Sequence, residues 1–176
     1  FVIHNGILFA GTSEGLAWAS LSQPNLQDPD SWSSTIIGPV HDIVVAGNNV
    51  LLASSLGVFT YDPTNDRVFL DFDGESVDAL GYFGGLVLAA TDEGNFMRRL
   101  GAGIWRRTGA PLIFDVRGIS RIDDGSAWLA TGTGLRVIGS KAPTSSAEPG
   151  SSRFYDLRLV DGDLWAASVP DDQQRT

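Results

Sequence analysis

Residues 42–72 read DIVVAGNNVLLASSLGVFTYDPTNDRVFLDF, and their internal punctuation decides the fold. Four short apolar runs, DIVVAG (42–47), VLLASS (50–55), GVFTYD (57–62) and RVFLDF (67–72), are separated by Gly-Asn-Asn, Leu-Gly and Pro-Thr-Asn-Asp. Glycine and asparagine tolerate the backbone of tight hairpin turns, and β-branched and aromatic residues fit a half-buried pleated surface. The stretch therefore predicts four antiparallel strands joined by hairpins. Helical periodicity is not sustained over a dozen residues anywhere in the chain, because Gly or Pro interrupts every window.

The same unit recurs. ILFAGTSEGLAW (7–18), VLLASSLGVFTY (50–61), LVLAATDEGNFM (86–97), AWLATGTGLRVI (127–138) and LWAASVPDD (164–172) align on Ala10, Ala53, Ala89, Ala130 and Ala167, with spacings of 43, 36, 41 and 37 residues. A period near 40 is the length of one four-stranded propeller blade. The predicted fold is an all-β propeller of about five blade units, each of four short antiparallel strands, with the first and last units incomplete. Residues 1–140 are expected to form four units, 141–152 (KAPTSSAEPGSS) a Pro/Ser-rich loop in place of an outer strand, and 153–176 the start of a further unit. An unfinished blade leaves ladder groups exposed near Phe1 and Ser168. These edges are expected to pair with each other, with a protein partner, or with the remaining blades of a longer chain.

The recurring small-Thr-x-x-Gly-Leu pattern, Ala10-Gly11-Thr12-Ser13-Glu14-Gly15-Leu16 and Ala130-Thr131-Gly132-Thr133-Gly134-Leu135, resembles the propeller repeats of bacterial two-component regulator sensors, most closely in VRGISRIDDGSAWLATGTGLRVIG (116–139). The resemblance covers nearly the whole chain. It implies a sensor domain facing outside the cytoplasm, periplasmic or secreted, whose loops recognise a protein or a carbohydrate.

Composition bounds the function. The 176 residues include 21 glycines and 8 prolines, as a turn-rich all-β chain requires, and 43 % apolar residues are enough for a core. Twelve basic against 21 acidic residues leave a net charge of −9, which repels phosphate backbones, so nucleic acid is not expected as a partner. The absence of cysteine removes disulfides, thiolate metal sites and thiol nucleophiles, and His4 and His41 are the only imidazoles. No apolar run reaches the ~18 residues of a membrane-spanning helix.

Among candidate motifs, Gly11-Thr12-Ser13-Glu14-Gly15 has the spacing of a nucleophile elbow, but that motif needs a helix after the serine. A strand-to-strand turn is expected instead. Asp123-Asp124-Gly125-Ser126-Ala127-Trp128 partly resembles the Asp-box of sialidase-like propellers, with Arg121 where the box has Ser or Thr; the box is a structural turn.

Asp42, Asp78 and Asp156 each lie 11 residues before the anchoring alanine of their unit, at the start of a blade's innermost strand; Gly118 takes this place in the fourth unit, with Asp115 close by. Such carboxylates either accept hydrogen bonds from backbone N–H groups and stitch blades together, or form a ring that binds a cation, a cationic group or a sugar. They are the candidate binding residues. No catalytic residue, cofactor or metal is called for, and the expected function is a non-catalytic recognition or interaction module. A propeller hydrolase or lyase with its active site in the central channel is the alternative. Trp128 and Trp165, at equivalent sites, are expected in the core between blades, and Trp32 and Trp105 on outer strands.

Overall fold

In a computed structural model of the chain, residues 1–108, 115–123, 126–139, 153–160 and 163–169 are described. The expected repeat of short strands is present, and the only helical element among these residues is a single 3-10 turn, Pro29–Ser31. The first sheet is β1 (Val2–His4), β2 (Ile7–Gly11), β3 (Gly15–Ser20) and β4 (Ser33–Ile36), hydrogen-bonded in that order. The second is β5 (Val40–Ala46), β6 (Asn49–Ser54), β7 (Gly57–Asp62) and β8 (Arg67–Asp73). The third is β9 (Val77–Phe83), β10 (Leu86–Thr91), β11 (Gly94–Arg99) and β12 (Ala102–Arg107). β13 (Val116–Asp123), β14 (Ser126–Thr131) and β15 (Gly134–Gly139) make a three-stranded sheet, and β16 (Arg153–Val160) and β17 (Asp163–Val169) a two-stranded one. These meander sheets are the blades of a β-propeller fold. The expected loop at 141–152 lies outside the described residues.

By its contacts the chain divides into two compact units, Phe1–Leu80 and Gly81–Thr176. In the first, Phe9, Leu16, Ile43, Val50, Leu52, Phe59 and Tyr61 form a core between the first two sheets, and the Phe9 and Tyr61 rings meet edge to face at 5.0 Å. Burial follows the order of strands within a blade. β6 and β10 are buried at every position but the first, whereas the outer strands β4 and β8 are largely exposed. A middle strand lined by Val, Leu and Ala on both faces is apolar on both sides of the sheet, and each such Val or Leu contributes roughly 1.5–3 kcal/mol on burial.

The pattern small-Thr/Ser-x-x-Gly is a hydrogen-bonded turn between a blade's second and third strands. The hydroxyls of Thr12, Thr91 and Thr131 donate to the carbonyls of Gly15, Gly94 and Gly134 at 2.9, 2.9 and 2.7 Å, and accept from an amide two residues on at 3.2 Å each. Ser13 is exposed within this turn and strand β3 follows it, so the elbow-like spacing is the strand-to-strand turn expected. Gly57, at φ +131°, shows why the last position is glycine: a Cβ there would collide with the carbonyl oxygen of Phe72 on β8.

Two aromatic expectations are corrected. Trp165 is 66 % exposed rather than core, because among the described residues nothing covers its face of β17. Its counterpart Trp128 is partly buried against Ala130, Phe154 and Leu157. Trp32 precedes β4 instead of lying in it; it caps the 3-10 turn, and its indole N–H donates to the carbonyl of Leu26 at 2.9 Å. Trp105 does lie on an outer strand, β12, with the Arg98 guanidinium 5.2 Å above its ring.

Candidate recognition surface at the innermost strand starts

The spacing of the aspartates is a consequence of hairpin register. Asp42 pairs with Ala53 and Asp156 with Ala167, so each faces its anchoring alanine across the first hairpin of its blade. Gly118 pairs with Ala130 in the same way, which makes it their equivalent. In all three strands the register shifts one step earlier, between Val40 and Asp42, Val116 and Gly118, and Phe154 and Asp156. One extra residue bends the strand there and re-aims the side chains beside it.

Asp42 ties its own strand to the next blade. Its Oδ1 accepts from the amide of Ile43 at 2.8 Å and its Oδ2 from the amide of Leu80, on the innermost strand of the following blade, at 2.9 Å. The neighbouring His41 reaches the same strand: its Nδ1 lies 2.9 Å from the Val77 carbonyl oxygen and 3.8 Å from Oδ1 of Asp78. With side chains 33 % and 38 % exposed, His41 and Asp78 leave polar surface open to solvent.

In the second unit, Asp156 repeats the local half of the pattern, its Oδ1 accepting from Leu157 at 2.8 Å. Gly118 has a steric reason to depart from aspartate. A Cβ at this position would come within 3.3 Å of the Asp156 Cα and the Leu157 nitrogen, so β16 packs where a side chain would have been. Three residues earlier, Asp115 accepts two hydrogen bonds from Arg117, of 2.8 and 3.0 Å. Asp115 has φ +55° and its carboxylate fills the space that a Cβ at Gly132 would need. This pair sits beside a register shift, which leaves no simple spacing signal in the sequence.

Asp156 also borders an open cleft of about 260 Å³ lined by Trp165, Ala166 and Ala167. The structure thus brings Asp42 and Asp78 to adjacent strands through His41 and Leu80, and sets Asp156 beside an exposed indole. Among the described residues no three His, Cys, Asp or Glu side chains cluster as metal ligands do. No helix among the described residues is long and apolar enough to cross a membrane.

No protein-family model matches the sequence, and no curated protein is similar to it. Solved structures are similar in fold. The extracellular domain of the hybrid two-component system BT4673 from B. thetaiotaomicron superposes with a TM-score of 0.72 at 13 % identity, over 94 % of this chain and 25 % of that one. The corresponding domain of BT3049 from the same organism gives 0.68 at 19 % identity, over 93 % and 24 %. The WD40 β-propeller domain of Doa1 gives 0.68 at 16 % identity, over 94 % and 58 %. The chain therefore has a β-propeller fold and spans about a quarter of the length of the two sensor domains. The resemblance to sensor propellers read from the repeats is borne out at the level of fold.

Proposed function

We propose that this chain is a non-catalytic recognition module, one portion of a longer propeller outside the cytoplasm, presenting its innermost strand starts to a protein or carbohydrate ligand. The observation that carries this reading is the contrast between Trp128 and Trp165. The first is covered by Phe154 and Leu157 of the next blade, and the second, at the equivalent position, is 66 % exposed beside Asp156. An exposed indole on a blade face is the kind of surface that a further blade covers. The similarity to extracellular sensor domains about four times as long supports the same reading.

Asp42, Asp78 and Asp156 have separate parts in this proposal. Asp42 spends both oxygens on backbone amides and holds the strand starts in register. Asp78 and Asp156, each with exposed polar surface or an open cleft beside it, meet the ligand by accepting hydrogen bonds from hydroxyl or amide groups.

The test is a binding screen of the purified chain against oligosaccharides and peptides, by calorimetry on any hit. Asp78→Asn and Asp156→Asn should each weaken binding about tenfold or more, the loss expected of a charge-assisted hydrogen bond, while melting temperatures stay near that of the parent. Binding that both variants retain at full strength would overturn the assignment.

A further inference from the structure

The charge of the chain is unevenly distributed. Residues 94–107 (GNFMRRLGAGIWRR) hold four of its 12 basic residues and no carboxylate, whereas residues 62–75 (DPTNDRVFLDFDGE) hold five carboxylates and one arginine. The two stretches carry +4 and −4 in a chain of net charge −9. Each contains the outer strand of a four-stranded sheet, β12 in the first and β8 in the second, and among the described residues each of these strands pairs with a neighbour on one side only.

Both edges also expose apolar side chains. Ile104 on β12 is 78 % exposed, and Phe69 and Leu70 on β8 are 49 % and 44 % exposed. Arg99, Arg106 and Arg107 are exposed, and among the described residues no carboxylate lies within ion-pair distance of them. Asp73, at the end of β8, is likewise exposed.

We infer that β12 of one copy docks along β8 of a second copy, the arginines of one edge facing the carboxylates of the other and Ile104 packing on Phe69 and Leu70. An edge strand offers a row of unpaired N–H and C=O groups to a second strand. Charges of one sign along an edge oppose pairing with a like edge and favour the unlike one, so the charge pattern selects β8 against β12 over either edge with itself. Because the contact joins different surfaces, two copies that reciprocate it close a dimer, and copies that do not extend as a chain. Either outcome appears as mass that rises with concentration.

Sedimentation velocity of the 176-residue chain across a wide concentration range tests this. At low ionic strength, association beyond the monomer is expected, and it should weaken in about 0.5 M salt, where the screening length falls to roughly 4 Å. Arg106→Glu with Arg107→Glu should raise the dissociation constant about tenfold or more, because two exposed pairs are lost and like charges then face each other. Asp73→Arg should do the same, and combining the three changes should restore association. All three residues are exposed, so far-UV circular dichroism should match the parent. A parent chain that stays monomeric throughout overturns the inference. So does association indifferent to salt and to the arginine reversals, or a loss that the combined variant fails to restore. Capture of an added polyanion such as polyglutamate by an otherwise monomeric parent would assign the arginine edge to an acidic partner instead, and would also overturn it.

Discussion

Asp42 and Leu80, 38 residues apart in sequence, are joined by a 2.9 Å hydrogen bond from the Leu80 amide to the Asp42 carboxylate. The same carboxylate accepts from Ile43, so a single side chain satisfies one amide of its own strand and one of the next blade's innermost strand. A charged acceptor for two backbone donors is a stronger tie than a neutral one, and its removal leaves donors without their partner.

Asp42→Ala should destabilise the protein by ~1–3 kcal/mol, measured by urea denaturation, because both amides lose their acceptor. Asp78→Ala should cost less than Asp42→Ala, since the ion-pair contact of Asp78 with His41 is 3.8 Å long and its side chain is 38 % exposed. Neither melt should respond to calcium. A calcium-dependent stabilisation of the parent that Asp78→Ala abolishes would make these carboxylates a cation site and remove the stitching account.

The turn hydroxyls should differ in weight according to burial. Thr131 is fully buried, whereas Thr12 is exposed, although both donate to the carbonyl of a glycine three residues on. Thr131→Val should lower stability by ~1–3 kcal/mol and Thr12→Val by ~0.5–1 kcal/mol, in denaturant titrations of the two variants. Equal losses would show that burial does not set the strength of this turn.

Gly57 and Gly134 share a left-handed backbone, φ +131° and +130°, but differ in what surrounds them. A Cβ at 57 meets the Phe72 carbonyl oxygen, while at 134 none of the described residues comes within 4 Å. Gly134→Ala should cost about 1–2 kcal/mol from backbone strain alone, and Gly57→Ala clearly more, with β8 displaced from β7. Amide exchange of β8 residues reads the second effect directly; unchanged protection in Gly57→Ala would contradict it.

Tyr61 should make the fold sensitive to alkali. Burial, then the hydrogen bond to Asp66 at 2.8 Å and the charges of Asp66 and Asp62, push its phenol up to about 12 from the ordinary value of 10.0. A folded-state pKa above the unfolded one favours the folded state fully below pH ~10, and that contribution is lost as pH rises through ~12. Phenolate absorbance should therefore contain a late-titrating component that is lost in Tyr61→Phe. In that variant the loss of stability between these two pH values should be smaller than in the parent.

The unit of the fold was legible in the chain itself because its determinants are local. Alternating apolar residues, Gly-Asn turns and the Thr-x-x-Gly pattern act over two to six residues, and each predicts the strand or turn seen, from DIVVAG as β5 to Thr131–Gly134 as a closed turn. The 11-residue interval from Asp42 to Ala53 was legible too, since it is the register of one hairpin. The fates of equivalent residues were not. Trp128 and Trp165 occupy the same place in the repeat, yet one is covered by Phe154 and Leu157 and the other is exposed. Asp42 reaches Leu80, Asp78 faces His41 and solvent, and Gly118 yields its space to Asp156. Each of these differences depends on which blade packs against which, a contact between residues roughly 40 positions apart that no local pattern encodes. The sequence by itself determined the blade; only tertiary packing decided which of its repeated side chains became core, tie or open surface, because burial and hydrogen-bond partners come from the neighbouring sheet.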